Sequence, residues 1–155
     1  MKARDLMTRE VAACRAEDAM AVAARIMWER DCGVVPVVDG DGRVIGVVTD
    51  RDLCMASYTR NEPLSRMPVR DAMAKEIFTC REEDDETQVH AAMREHQVRR
   101  LPVVDEEGRL EGIVSLNNLA LQAAAAKGGA AEKRQREIAR TLTEISRHRE
   151  VAAAV

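Results

Sequence analysis

A sequence repeat places the strongest constraint on the fold of this chain. Residues 43–53 read RVIGVVTDRDL and residues 109–119 read RLEGIVSLNNL, an offset of sixty-six positions. The same offset aligns residues 4–53 with residues 70–119 without a gap. The chain is therefore a tandem duplication, so whatever unit one copy forms is formed twice. Identical pairs include Asp5/Asp71, Met7/Met73, Glu10/Glu76, Cys14/Cys80, Pro36/Pro102 and Gly46/Gly112.

The two copies share one order of secondary-structure signals. Each has a short apolar stretch (EVAAC or EIFTC), a helical pattern, two β-branched runs joined by an Asp/Gly turn, and a last helix. This order predicts β-α-β-β-α in each copy, with the two runs as antiparallel or closely successive strands. The apolar face of the first helix in each copy consists of Ala19, Val22, Ala23 and Ile26, or of Val89, Ala92, Met93 and His96.

Two pairs of equivalent residues carry further local expectations. Asp18 and Asp84 are expected at the start of these helices, because a carboxylate there can accept hydrogen bonds from free backbone N–H groups. Pro36 and Pro102 cannot donate to a strand ladder, so they are expected at the start of a strand or on an edge.

Copies of about fifty residues are too small to be stable alone, so the two are expected to bury their apolar faces against each other. The predicted fold class is α/β (α+β). The predicted domains are repeat one (1–58), a linker (59–68), repeat two (69–126) and a helical tail (127–155). In the tail, Ile138, Leu142 and Ile145 form a narrow apolar seam on a helix predicted over Glu132–Glu150. That helix packs on its own domain, is frayed in solvent, or contacts a second subunit.

Composition and motifs exclude several functional classes. The net charge of −3 gives no strong attraction to nucleic acid or acidic membranes, and no apolar run reaches eighteen residues. A cytoplasmic protein without nucleic-acid or membrane partners is expected. The sequence contains no G-x-S-x-G, H-E-x-x-H, P-loop or G-x-G-x-x-G motif, so an enzyme is not expected. The four cysteines are isolated and are expected to be buried thiols; a metal or redox site through Cys14 and Cys80 is an alternative.

Thr49-x-x-Asp52 lies where a predicted strand passes into a helix. Such a tetrad can be a capping box, in which each side chain accepts from the other residue's backbone N–H. It can also bind a ligand, because a helix N-terminus attracts phosphate and a carboxylate can accept both hydroxyl protons of a ribose. The equivalent Ser115-x-x-Asn118 lacks the charge and is expected to bind more weakly.

Both copies carry the pattern h-P-V-V-D-x-x-G-x-h-x-G-h-h-[ST]-x-x-[DN], at Val35–Asp52 and Leu101–Asn118. This pattern, repeated in register, resembles the CBS-domain family paired as a Bateman module, over about residues 3–125. The resemblance implies a non-catalytic regulatory unit. Its two copies would pack about a pseudo-twofold axis and leave two clefts for adenosine-containing ligands.

The resemblance also assigns roles to residues. Asp52 would hold the ribose beside Thr49, the base would lie against the first strand of copy two at Ile77–Cys80, and phosphates would meet Arg99 and Arg100. The candidate binding residues are Thr49, Arg51, Asp52, Ile77, Phe78, Thr79, Cys80, Arg99, Arg100 and Pro102. A second, weaker site would consist of Val11, Ala12, Val34, Pro36, Ser115 and Asn118. No catalytic residue and no metal ligand is predicted.

The predicted function is regulation through an adenine nucleotide, namely AMP, ADP, ATP or NAD, with no required cofactor. The two arginines favour these phosphate-bearing ligands over S-adenosylmethionine. A homodimer and a separate, unidentified effector protein are the expected partners. A ligand-free dimerising adaptor is the alternative, besides the metal or redox sensor.

Overall fold

Each repeat folds into an antiparallel hairpin placed between two helices. The computed structural model describes residues 1–147, so residues 148–155 of the predicted tail lie outside it. The first elements are α1 (Ala3–Leu6), α2 (Met20–Glu29), β1 (Val34–Val38), β2 (Val44–Thr49) and α3 (Asp50–Arg60). After two single 3-10 turns come β3 (Cys80–Arg81), α4 (Glu86–His96), β4 (Arg100–Val104), β5 (Leu110–Ser115), α5 (Leu116–Ala125) and α6 (Gly129–Ile145).

The predicted hairpins are present and antiparallel. β1 pairs with β2, and β4 pairs with β5 in the equivalent register. Each turn is closed by an aspartate, Asp39 or Asp105, whose side chain accepts two backbone N–H groups. The glycines that follow, Gly42 and Gly108, have φ values of 81° and 83°, a region that favours glycine.

Pro36 and Pro102 lie in the middle of their strands, not at the start. Pro36 is on an edge strand, as expected, because β1 belongs to a two-stranded sheet, whereas Pro102 is in β4, the central strand between β3 and β5. The carbonyl oxygen of Pro36 accepts the N–H of Cys14, 3.0 Å away. Because the N and O of one strand residue point to the same side, the missing N–H of Pro36 faces this short segment and costs β2 no hydrogen bond.

The first strand of each copy is shorter than predicted. Cys14 forms a single parallel bridge to Val37, and β3 has two residues, so Ile77–Thr79 are not strand. In copy one only the N–H and C=O of Cys14 reach β1, at Pro36 and Val38.

The helix-start prediction for Asp18 and Asp84 was wrong. Asp18 accepts the N–H of Arg15 and Asp84 that of Arg81, so both carboxylates close the turn before the helix. The N-cap of α2 is Ala19, which has no side-chain acceptor, whereas Asp85 caps α4 by accepting from Gln88.

The N-terminal segment of each repeat pairs with the last strand of the other repeat. Thr8 and Ile113 exchange two backbone hydrogen bonds of 2.9 and 3.0 Å. Sixty-six positions later, Ala74 and Val47 exchange bonds of 2.8 and 3.1 Å. The cores are exchanged in the same way, because the core of repeat two includes Ala3 and Leu6 while that of repeat one includes Met67 and Val69.

The two hairpin turns also bond to each other reciprocally. Val44 N–H donates to the Gly108 carbonyl and Leu110 N–H to the Gly42 carbonyl, each at 3.0 Å. These partners are equivalent under the sixty-six-residue offset, so the contacts obey a pseudo-twofold axis. The predicted fold, two repeats about such an axis with a C-terminal helix, is confirmed.

The segment predicted as a linker, residues 59–68, contributes to the fold. It contains the end of α3 and a 3-10 turn at Leu64–Arg66. Met67 then enters the core of repeat one with 1% of its surface exposed. Within residues 1–147, no helix combines the length and the apolar character needed to cross a bilayer.

Of the arrangements expected for the tail helix, the structure shows packing on its own chain, with α6 against α4 and α5. Ile138 packs on the core, but the next inward residue is the buried Thr141, while Leu142 of the predicted seam is 48% exposed. The contacts are largely polar. Thr141 Oγ1 lies 2.9 Å from His90 Nδ1, Arg94 pairs with Glu137 at 3.0 Å, and Arg134 pairs with Glu86 at 3.1 Å.

The exchanged pairing requires glycine at Gly112, where a Cβ would lie 2.8 Å from the backbone oxygen of Thr8. We therefore expect Gly112→Ala to lower the free energy of unfolding by about 1–3 kcal/mol in urea denaturation. Gly40→Ala is the control, because its Cβ would have no neighbour closer than 4.0 Å, and it should change stability by about 0.5 kcal/mol or less. Equal stability of the two variants would contradict this role of Gly112.

Burial lowers the pKa of His90, against the raising effects of Glu86 and Glu137. The folded chain therefore resists the proton that the unfolded chain takes up. Stability should be lost as the pH falls below the ordinary histidine pKa of about 6.5. Melting temperatures of wild type and His90→Gln between pH 7.5 and 5.5 measure this loss, which should be smaller in the variant. Parallel profiles would show that His90 contributes nothing to it.

Candidate functional site

A cleft with a volume of about 670 Å³ opens where the two repeats meet. One wall is the end of β2 and the start of α3; the other is the exchanged segment near Ala74 and the C-terminal end of α4. We call it the first cleft. The predicted binding residues that line it are Thr49, Arg51, Phe78, Arg99, Arg100 and Pro102.

The tetrad at the start of α3 is a capping box. Thr49 Oγ1 accepts the N–H of Asp52, and Asp52 Oδ2 accepts both the N–H and the hydroxyl of Thr49 at 2.9 and 2.7 Å. Within the described residues, Asp52 Oδ1 accepts no hydrogen bond. Capping therefore engages one of the two carboxylate oxygens. Thr49 lines the first cleft, whereas Asp52 is not part of its lining.

Three guanidinium groups line the first cleft, those of Arg51, Arg99 and Arg100. None of them forms an ion pair or a side-chain hydrogen bond with another residue in the part of the chain that the structure describes. The cleft also contains acidic side chains, so it is not uniformly positive. These are Asp50, Glu76 and Glu95.

An aromatic surface forms another part of the wall. The ring of Phe78, the chain's single phenylalanine, stacks on the ring of His96, with centroids 3.7 Å apart and planes 5° from parallel. Phe78 also packs on the core of repeat two, which fixes its position.

Sequence reasoning missed the wall formed by residues 95–98 and the acidic residues Asp50 and Glu76. Gln97 ends α4 in the left-handed region, with φ of 51°, and so turns this wall toward β2. The only available signal was that residues 95–98 directly precede Arg99 and Arg100 in the sequence.

Three other predicted residues do not line the first cleft. Cys80 is buried in the core of repeat two, with its sulfur 4.0 Å from the Pro102 carbonyl oxygen. Thr79 is exposed and Ile77 is half-buried, just before β3.

A second cleft lies at the pseudo-symmetric position and measures about 260 Å³. The predicted residues of the weaker site that line it are Val11, Ala12, Val34, Ser115 and Asn118. Pro36 is buried and does not line it. Arg100 lines both clefts, so it lies between them.

Asn118 is fully engaged in the second cleft. Its Oδ1 accepts the N–H of Ser115 at 2.9 Å as well as the Ser115 hydroxyl, in the same capping box. Its Nδ2 donates to Thr8 Oγ1 at 3.3 Å, across the junction of the repeats. The second cleft is therefore smaller, and the side chain equivalent to Asp52 already has partners for both polar atoms.

Residues 3–58 and 69–123 each match the CBS domain. The chain belongs to the CBS-domain family. The uncharacterised protein YlbB of Bacillus subtilis is 37% identical over 121 residues, which are 77% of this chain and 80% of that one. An inosine-5'-monophosphate dehydrogenase of Methanocaldococcus jannaschii is 29% identical over 119 residues, which cover 76% of this chain but 23% of that enzyme.

Solved structures of CBS pairs have the same fold. Hypoxic response protein 1, crystallised with two coordinated zinc ions, superposes with a TM-score of 0.71 at 30% identity, over 78% of this chain and 98% of that one. The CBS pair of protein MJ0100, in complex with 5'-methylthioadenosine and S-adenosylmethionine, gives a TM-score of 0.72 at 20% identity, over 82% and 98%.

In this CBS pair Cys14 and Cys80 lie in different cores, so the structure does not bring together the pair considered for metal or redox sensing. Burial raises the pKa of the Cys14 thiol to about 11 and that of Cys80 to about 12. Among residues 1–147, no three histidine, cysteine or acidic side chains are grouped so that they could hold a metal ion.

The expectation that all four cysteines are buried was wrong for Cys54, which is exposed, and for Cys32, which is partly exposed. Cys14 and Cys80 are buried and protonated. Reaction of the native CBS pair with Ellman's reagent at pH 8 should therefore show a fast phase from Cys54 and release all four thiols only after unfolding. Cys54→Ser should remove the fast phase, and a zinc chelator should leave the melting temperature unchanged. A fast phase that survives this substitution would show that a buried thiol is reactive.

Proposed function

We propose that this CBS pair binds an adenine nucleotide, AMP, ADP, ATP or NAD, in the first cleft and signals its occupancy to a separate effector protein. The observation that carries the proposal is the convergence, in one cleft, of a helix N-terminus with three arginines that have no ion-pair partner in the described chain. The role is regulatory and non-catalytic, requires no cofactor, and belongs to the cytoplasm.

The phosphates would lie against Arg99 and Arg100, with Arg51 on the opposite wall. A hydrogen bond to a charged group contributes about 1.5–3 kcal/mol, and unpaired guanidinium groups lose no existing ion pair when a phosphate arrives. The first turn of α3 adds the positive end of its dipole. Its N–H groups at Asp50, Arg51 and Asp52 already donate to Gly33 O, Asp50 Oδ1 and Thr49 Oγ1. Phosphate is thus the chemical group that this cleft favours most.

The ribose would lie against Thr49, within reach of Asp52 Oδ1. That oxygen accepts no hydrogen bond in the described chain, so it can receive a hydroxyl proton while Oδ2 continues to cap α3. This one charge-assisted bond to the diol would contribute about 1.5–3 kcal/mol before binding costs. Asn118 has no such spare atom, so we propose that the second cleft binds weakly or not at all.

The base would lie near Phe78, whose stack with His96 presents an aromatic surface inside the cleft. Aromatic faces favour planar bases through offset stacking. The similarity in fold to solved CBS pairs is consistent with this position of the base, but the proposal does not depend on it. The MJ0100 pair, crystallised with adenosine-containing ligands, is 20% identical, so its likeness concerns the fold alone.

The rival function is a ligand-free adaptor, in which Thr49 and Asp52 only cap α3. The capping box favours this alternative, because Asp52 Oδ2 already accepts the N–H and the hydroxyl of Thr49. The unpaired arginines in the first cleft favour nucleotide binding, because capping has no use for them. A homodimer is part of the proposal in either case.

Asp52→Asn separates the two functions. Asn118 caps α5 in the same geometry, so the amide should preserve the cap while it removes the charge and one acceptor for ribose. Saturation at a hundred times Kd should stabilise wild type by about 2.7 kcal/mol, a shift of about 5–10 °C in melting temperature. We expect AMP, ADP, ATP or NAD to produce this shift in wild type and little of it in Asp52→Asn.

Asn118→Ala is the matched control, because it changes the equivalent residue of the second cleft. It should keep the wild-type nucleotide shift, although its own melting temperature is lower. Flat curves with every nucleotide, or a full shift in Asp52→Asn, would overturn the proposed role of Asp52. The first of these outcomes would favour the adaptor.

A further inference from the structure

A further cavity, with a volume of about 360 Å³, lies between α4 and α6. It shares no lining residue with either cleft, so the proposed nucleotide site makes no use of it. Its walls are the first turns of α4 and the first half of α6, with Met1 beside them. Since α6 follows the second repeat and has no counterpart in the first, the duplication does not produce a second copy of this cavity.

The helices α4 and α6 lie side by side and run in the same direction. Near their start, Glu86 pairs with Arg134 at 3.1 Å, and near their end Gln97 Nε2 donates to the carbonyl oxygen of Glu144 at 3.2 Å. Both N-termini therefore lie at the cavity, where each contributes about half a positive elementary charge. The N-cap of α6 is Gly128, which has no side chain to accept the free N–H groups of that helix.

His90 of α4 lines this cavity and is 1% exposed. Among the buried side-chain nitrogen and oxygen atoms of residues 1–147, its Nε2 is the only one without a hydrogen-bond partner. The other ring nitrogen, Nδ1, faces Thr141, which is outside the lining of the cavity. The ring therefore meets the cavity with the side that carries Nε2. A buried polar atom without a partner is rare, because it forfeits a hydrogen bond to water.

The contacts of Thr141 determine which ring nitrogen of His90 carries the proton. Burial lowers the pKa of His90, so the ring is neutral at pH 7 and holds one N–H. Thr141 Oγ1 accepts a hydrogen bond from Arg94 at 3.0 Å, and the one acceptor for its own proton in the described chain is His90 Nδ1, at 2.9 Å. Nδ1 is thus the acceptor and Nε2 carries the proton. The other tautomer would leave the buried Thr141 hydroxyl proton unpaired as well.

Three carboxylates also line the cavity, and each already has a partner. Two form ion pairs with arginines and the third caps α4; they are Glu86, Glu137 and Asp85. Lys133 of α6 is exposed, and its ammonium group has no ion-pair or hydrogen-bond partner in the part of the chain that the structure describes. The cavity thus contains one unpaired cation and one unpaired N–H, and a negatively charged oxygen can accept from both.

We propose that the cavity between α4 and α6 binds a small monocarboxylate, whose oxygens accept from the Lys133 ammonium group and from His90 Nε2. The aliphatic part of the ligand would lie against Met1 and Ala130. A single negative charge fits this lining better than the double charge of a phosphate, because the three carboxylates repel each additional charge.

This site goes beyond the proposed function and does not rest on nucleotide binding. A ligand in the cavity would contact α4 and α6 at once. It would therefore hold the tail helix on repeat two, which makes the site a second input to the CBS pair.

Titration of the full chain with butyrate, which replaces chloride at constant ionic strength, tests the site. The nitrogen-15 signals of the histidine rings are the readout, because they report both the tautomer of His90 and any new acceptor at Nε2. We expect a saturable shift of the His90 signal in wild type. Lys133→Gln should raise Kd by about tenfold or more, since it removes the charge-assisted bond. Inorganic phosphate should bind more weakly than butyrate.

The matched control is Arg136→Gln, which removes one positive charge from the same helix at an exposed position outside the cavity. It should keep the wild-type Kd. A His90 signal that does not saturate over the whole series, or an equal Kd in the two variants, would overturn the site. Phosphate binding as tight as that of butyrate would overturn the assignment to a monocarboxylate. None of these results would bear on the nucleotide in the first cleft.

Discussion

The exchange of N-terminal segments between the repeats is the constraint on which the rest of the structure depends. The backbone of Thr8 lies on Ile113, and that of Ala74 lies on Val47, each through two hydrogen bonds. So close an approach leaves no room for a side chain at Gly112. Each core is thereby completed by the other copy, and both clefts are built from residues of both repeats. A ligand between the walls would contact the two repeats at once, which is how occupancy can change their relative position.

Duplication gave this chain two of each surface, and substitution then made the members of each pair different. Between the clefts, asparagine replaces aspartate at position 118, and its amide is bonded across the junction to Thr8. The helical faces differ in the same way. Arg94 forms an ion pair with Glu137 of α6, whereas the equivalent residue of repeat one, Trp28, is exposed. The two clefts and the two helical faces therefore differ in the groups that they present.

The sequence was sufficient for features that depend on local patterns or on the repeat itself. The hairpins and the helices follow from periodicity and turn residues, and the pseudo-twofold arrangement follows from the resemblance to the CBS-domain family. The exchange could not be predicted, because no periodic signal links Thr8 to a strand more than a hundred residues away. The sequence does not distinguish Asp84 from its neighbour Asp85 as the helix cap, because the two side chains are chemically identical and only the turn geometry separates them. The predicted apolar seam through Leu142 was wrong, because the inward face of α6 is polar and Thr141 lies against His90.

In the first cleft, the arginines were predicted from the repeated family pattern. The wall at Gln97 was not, because it depends on a residue with a left-handed backbone conformation that the sequence does not indicate.

The central claim is that one cleft of this CBS pair holds an adenine nucleotide. Isothermal titration of the full chain with AMP, ADP, ATP and NAD tests it most directly, because the stoichiometry reports how many clefts are filled. We expect saturable binding of at least one of the four, with one nucleotide per chain. Two equal sites per chain would contradict the inequality of the clefts, and the absence of binding heat at several temperatures with all four would contradict the claim itself.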